Sequence, residues 1–114
     1  MTYSELLDEI RKVPLEELRI DSPEWFEFVI FKDSLGRIQP SLENFFGPPR
    51  KRPEAEPSRE IQKMTAPFGG VWAGQTLYWR EQGDAFHCGL FWPWGDGTRV
   101  TVKLIEGRSS PPAS

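Results

Sequence analysis

The chain has one cysteine and one histidine in 114 residues. A lone cysteine excludes an internal disulfide and fits a reducing compartment. With one histidine, a zinc site would need at least two carboxylates in unusual company, and neither His-x-x-x-His nor Cys-x-x-Cys spacing occurs. No metal and no cofactor are therefore expected. No phosphate-binding glycine pattern occurs either; Gly95-Asp96-Gly97 has the composition of a hairpin turn. No apolar run approaches the ~20 residues of a membrane-spanning helix, and no basic stretch followed by an apolar one opens the chain. The expectation is a cytoplasmic protein with no membrane partner.

Charge is low in total and unevenly placed. The formal net charge is −3, with nine acidic and four basic side chains in residues 1–33, against eight and ten in residues 34–114. An acidic first third joined to a weakly basic remainder matters more for partners than the sum does. At this length a single domain is expected over 1–107, burying roughly 65% of its unfolded surface. Residues 108–114, rich in Ser and Pro, read as a disordered tail.

What the chain does have is a dense aromatic stretch. Residues 76–105 hold three of the five tryptophans, together with the histidine and the cysteine. Tyr, Trp, Phe, Val and Thr dominate three runs bounded by Gly/Asp clusters, which predicts a three-stranded meander. A two-residue turn at Gln82-Gly83 places Trp79 opposite Phe86. A three-residue turn at Gly95-Asp96-Gly97 pairs Trp94 with Thr98, Trp92 with Val100 and Leu90 with Val102. Under this register one face collects Leu77, Trp79, Phe86, Cys88, Leu90, Trp92, Trp94, Val100, Val102 and Leu104. The other collects Thr76, Tyr78, Arg80, His87, Phe91, Arg99, Thr101 and Lys103, and is expected to be the wetter one. Pro93 interrupts the middle strand, which predicts a bulge or an early end to pairing.

Elsewhere, Thr2-Tyr3-Ser4-Glu5 matches a capping box, with Leu6, Leu7, Ile10 and Val13 following at helical spacing. Pro14 ends that helix and is placed to start a short helical turn over 15–19. Residues 25–31 follow a Ser-Pro-Glu helix-start signal, but their β-branched and aromatic composition reads as a strand. Arg37, Ile38 and Gln39 read as pairing back onto it. Ser41 and Gly47 bracket a short helix, residues 48–57 an exposed Pro-rich loop, and Ser58 caps a third helix. The fold class expected is α+β: an antiparallel meander of three to five strands with two to four short helices packed on one face.

Few residues present themselves for chemistry. His87 and Cys88 are adjacent, so in a strand they point to opposite faces and form no dyad. Glu81 and Asp84 sit at one turn and Asp96 at the other, too far apart to act together. Arg50-Lys51-Arg52 shares its loop with Glu54 and Glu56 and reads as a solvated run. Residues 105–108 read as a protease recognition sequence, or more plainly as a strand end entering a turn.

Two surfaces remain. Tyr78, Arg80, His87, Phe91, Arg99 and Lys103 would put rings among cations on an open sheet face. Such a face suits a protein partner or single-stranded nucleic acid, unless an N-terminal element simply covers it. Trp72, Trp92 and Trp94 would line a small-ligand pocket, though core packing is the ordinary fate of such residues. No catalytic residues are expected. The expected function is that of a small non-catalytic binding or regulatory protein, of adaptor, inhibitor or immunity type, engaging another protein through its sheet. Nucleic-acid binding by the basic face and a tryptophan-lined ligand pocket are the alternatives. The oligomeric state is left open by the sequence.

Overall fold

The computed structural model describes residues 1–108, and the tail expected at 108–114 lies outside them from residue 109 on. Helix α1 (Tyr3–Arg11) starts where the capping box predicts: Glu5 N–H donates to Thr2 Oγ1 at 3.1 Å and Thr2 N–H to Glu5 Oε1 at 2.9 Å. Strand β1 (Glu17–Asp21) follows in place of the helical turn expected at 15–19. Pro14 does end α1, but Glu16 N–H then donates to Val29 O at 2.8 Å, and the ladder to β2 (Trp25–Phe31) takes up the segment. A 3₁₀ turn (Lys32–Ser34) leads into α2 (Leu35–Phe46).

Helix α2 corrects the expectation that Arg37-Ile38-Gln39 pairs back as a strand and that a helix begins only after Pro40. Pro40 lies inside the helix. A proline there costs about 3 kcal/mol through the missing N–H and the clash with the carbonyl four residues back. Ile38, Leu42, Phe45 and Phe46 are buried from the same helix. Each such side chain contributes about 1.5–3 kcal/mol, so the packing outweighs the break.

Helix α3 (Arg59–Thr65) is capped as expected, Ile61 N–H donating to Ser58 Oγ at 3.2 Å. A second 3₁₀ turn (Ala66–Phe68) and the Gly-rich segment after it deliver the chain to β3 (Thr76–Gln82), β4 (Ala85–Pro93) and β5 (Arg99–Arg108). The five strands form one antiparallel sheet in the order β1-β2-β5-β4-β3, so the fold is the α+β class expected. Arg108, expected in the tail, belongs to β5 and pairs with Ala85, next to the Gly107–Phe86 pair. Pro93 is the last residue of β4.

The register differs from the expected one at both hairpins, with unequal consequences. At the first, Gln82 pairs with Ala85 around Gly83-Asp84, so Trp79 faces Cys88 rather than Phe86. That slip of two leaves each side chain on its face. At the second, Trp94 N–H donates to Arg99 O at 2.8 Å, closing a loop of four residues, 95–98. Thr98 is held in the loop because its carbonyl accepts from Lys32 N–H at 2.9 Å, while Asp96 Oδ1 accepts from Thr98 N–H. One added loop residue moves the whole of β5 to the opposite parity. Val102 therefore pairs with Phe91, Val100 with Pro93 and Lys103 with Leu90.

Both faces of the sheet consequently carry apolar layers. On the first, Phe26, Phe28, Ile30, Tyr78, Phe91, Val100, Val102 and Leu104 pack under α1 and α2. On the reverse, Leu77, Phe86, Cys88, Leu90 and Ile105 pack with Ile61 of α3, Phe68 and Val71, flanked by Trp25, Trp79 and Trp92. Gly89 sits in the first layer, where an added Cβ would stand 3.2 Å from Leu104 Cδ2 and 3.5 Å from Phe46 Cε2. Its missing side chain is what lets α2 come down onto β4.

Candidate partner-binding surface

The six residues expected on one wet face are divided between the two. Tyr78 and Phe91 are 1% and 4% exposed, sealed in the layer beneath α2. His87, at 9%, is on the same side under α1 and α2, its imidazole against the Tyr3 ring at 4.2 Å and the Phe45 ring at 5.4 Å. Arg80 lies beside them with its guanidinium over Phe45 at 4.5 Å, and Nη1 donates to Phe45 O at 3.0 Å. Arg99 and Lys103 are on the reverse face. The cause is the four-residue loop: at the expected parity β5 would have put both cations beside Tyr78 and Phe91.

Burial governs the titration of His87. Desolvation pushes its pKa below the usual value, against the opposing pull of Glu106, whose Oε2 is 3.6 Å from Nε2. Tyr3 Oη and His87 Nδ1 are both buried without a hydrogen-bond partner. Cys88 points to the other layer, and burial raises its thiol to about 12, so it supplies no thiolate near neutral pH. Among the described residues no group of three or more His, Cys, Asp or Glu side chains could hold a metal ion, and no helix is long and apolar enough to cross a membrane.

The basic run expected to be solvated is not so at Lys51. Lys51 is only 2% exposed, with Nζ donating to Gln75 O at 2.7 Å and Arg52 O at 2.9 Å; burial lowers its pKa. Its backbone bridges Leu77 at the outer edge of β3. Arg50 pairs with Glu60 at 3.0 Å.

The three tryptophans expected in one pocket go to three neighbourhoods. Trp72 is 59% exposed and lines a cleft of about 500 Å³ with Gln62, Ala66, Gly69, Gly70 and Val71. Trp92 lies under Gly69 and carries the Lys103 ammonium 3.5 Å from its ring centroid. Lys103 Nζ also donates to Phe68 O at 3.3 Å, and desolvation lowers its pKa. Trp94 stands at the hairpin end, its indole N–H donating to Thr101 Oγ1 at 2.9 Å.

That hairpin end of the reverse face is where rings and cations do meet. Phe31 of β2, Arg99 of β5 and Trp94, one residue past the end of β4, form one cross-strand row. The Arg99 guanidinium lies 5.1 Å from the Phe31 ring and 5.6 Å from that of Trp94, and Arg19 reaches over Trp94 at 5.9 Å. Arg99 pairs with Glu16 at 3.1 Å; Arg19 pairs with Glu17 at 3.0 Å and Glu27 at 3.8 Å. The row stays accessible, with Phe31 46% exposed and the Arg99 and Arg19 side chains 31% and 38%. Ile20, opposite Glu27 on the same face, is 41% exposed. Of the residues singled out in the sequence only Arg99 and Trp94 belong to this surface; Phe31 and Arg19 were missed. Phe31 had a usable signal, being the outer end of a run already read as a strand.

No protein-family model, no curated protein and no solved structure matches this chain.

Proposed function

We propose that the chain is a non-catalytic binding protein that engages another protein through its sheet, by the open hairpin end of the reverse face. The observation that carries this reading is the row Phe31–Arg99–Trp94 with Arg19 laid across it. Tryptophan and arginine held in place by stacking and ion pairs are the residue types that anchor protein interfaces, because little side-chain freedom is left to lose on docking. Trp94 is held by its bond to Thr101, and each arginine by at least one carboxylate.

The same pairing weighs against nucleic acid. A phosphate backbone is bound by cations free to displace counterions, whereas Arg19 and Arg99 already face Glu16, Glu17 and Glu27. Tyr78 and Phe91 are buried and offer no stacking platform for bases. A second reading rests on the Trp72 cleft, whose exposed indole and Gln62 amide suit a small ligand with an apolar face. It concerns Trp72 alone, since Trp92 and Trp94 lie elsewhere.

Affinity capture from the native host with matched variants tests the reading. A partner retained by the wild type and by Trp72→Ala, and lost with Trp94→Ala and Arg99→Ala, is the expected result. A partner lost with Trp72→Ala and kept by the other two would overturn it in favour of the cleft.

A further inference from the structure

We infer that the outer face of α3 and the loop carrying Trp72 form a second site, which takes a free nucleotide, with its flat heterocycle on the indole and its phosphate on Lys63 and Arg59. Arg59, Gln62, Lys63 and Ala66 stand at i, i+3, i+4 and i+7, so they make one stripe. All four are exposed, while Ile61 and Thr65 turn to the core. The Trp72 cleft, of about 500 Å³, shares Gln62 and Ala66 with a neighbouring cleft of about 680 Å³ that Arg59, Glu60 and Lys63 line. The two make one groove, with the indole at one end and the cations at the other.

The aromatic end is held in place by its backbone. Gly70 N–H donates to Thr65 O and Gly74 N–H to Pro53 O, both at 2.8 Å, and Trp72 N–H donates to Gln75 Oε1 at 2.9 Å. Gly69, Gly70 and Gly74 all have positive φ, a backbone that glycine adopts at little cost. Val71 is buried and anchors the loop. Trp72 beside it is 59% exposed, the most exposed large hydrophobic side chain among the described residues. A pinned loop that leaves an indole in water presents a stacking platform for a flat ring.

The other end selects an anion. Among the described residues neither Arg59 nor Lys63 makes an ion pair, and the Glu60 carboxylate is taken by Arg50 at 3.0 Å. Like charges at i,i+4 repel across one turn, and a phosphate monoester, at about −1.5 to −2, offsets that by meeting both. Lys63 is one turn and Arg59 two turns from Ala66, roughly 5 and 10 Å along the helix axis, which is within reach of a phosphate whose base lies on Trp72. Gln62, between the two ends, carries an amide that both donates to and accepts from a base edge. A polynucleotide suits the groove less, because the nearest charges before Ser58 in the chain are Glu56 and Glu54. The inference rests on the second reading above, that the cleft takes a small ligand, and is independent of the Phe31–Arg99–Trp94 row.

Titration of the isotope-labelled full chain with adenosine monophosphate, adenosine and inorganic phosphate tests it, read by amide correlation spectra. The monophosphate shifts the Trp72 indole N–H and the Gln62 side-chain amide, saturating with a dissociation constant on the order of 0.1–1 mM. Adenosine binds roughly fivefold more weakly, and phosphate alone leaves the indole signal in place. Trp72→Ala weakens the monophosphate by about tenfold or more. Lys63→Gln and Arg59→Gln each weaken it by roughly threefold and leave adenosine unchanged. All three side chains are exposed, and circular dichroism establishes that each variant is folded. Equal affinity for adenosine and its monophosphate, or a monophosphate indifferent to both cation variants, overturns the nucleotide assignment and leaves the cleft reading standing. No shift at Trp72 with any of the three up to ~10 mM overturns both. A single-stranded oligonucleotide bound more than about tenfold tighter than the monophosphate also overturns the inference, making the groove a nucleic-acid contact.

Discussion

The Tyr3 ring lies 4.2 Å from the His87 imidazole, centroid to centroid, and this contact is a principal seal between α1 and the sheet. Tyr3 Oη and His87 Nδ1 both lack a partner in that seal. Glu106 faces His87 from β5 and Arg80 from β3, and burial outweighs the carboxylate, so the folded pKa is depressed below the ordinary 6.5. The unfolded chain then binds the proton more readily than the folded one. Stability contributed by neutral His87 is fully present above pH 6.5 and is lost as the pH falls through the lower folded value. Urea midpoints measured from pH 8 to pH 5 should fall across that window, and fall less in His87→Phe. Equal slopes for the two proteins would remove His87 as the cause.

Gly69 carries two constraints at once. Its φ is +101°, and an added Cβ would stand 2.5 Å from Trp92 Cη2, an indole already held against Lys103. Gly69→Ala should therefore cost about 1–3 kcal/mol by denaturant titration. Gly36→Ala is the control, since no atom lies within 4 Å of the added carbon.

Pro40 interrupts α2 for no visible packing gain, being exposed while its neighbours Ile38 and Leu42 are buried. Pro40→Ala restores an N–H to the helix interior and should raise the unfolding free energy by about 1–3 kcal/mol. A loss of stability would show that the proline shapes the helix in a way its surroundings do not reveal.

Cys88 is fully buried, and its thiol is raised to about 12. In the native protein it should stay unmodified by a maleimide or a chromogenic disulfide at pH 8, reacting stoichiometrically once denaturant is added. Rapid native labelling would place it outside the apolar layer.

Local signals were legible in the sequence, and long-range ones were not. The capping box at Thr2–Glu5, the Ser58 cap and the strand composition of residues 25–31 are decided by near neighbours, and each gave its element. The parity of β5 is decided by Lys32 N–H bonding Thr98 O, a contact between residues 66 apart in the chain (98 − 32), which lengthens the hairpin loop by one. Residues 85–92 are apolar on nearly every position, so β4 could not report which of its faces β5 should match. The same ambiguity hid the Phe31–Arg99–Trp94 row: the sequence placed Arg99 with the neighbours its parity implied, and Trp94 in the core. The first half of α2 was not legible because Pro40 is a strong local stop signal, overridden by four buried side chains that pack against distant strands; the second half, closed by Gly47, was.

The β4–β5 register decides which residues share a face, and nuclear Overhauser contacts between backbone protons across that hairpin measure it directly. Trp94 and Arg99 are a hydrogen-bonded pair, so Phe91 and Val102 form a close non-hydrogen-bonded pair with their Hα atoms facing. A strong Hα–Hα contact between Phe91 and Val102 is the predicted result. Contacts joining Trp92 to Val100 and Leu90 to Val102 in its place would contradict it, returning Arg99 to the face of Tyr78 and dissolving the row with Phe31 and Trp94.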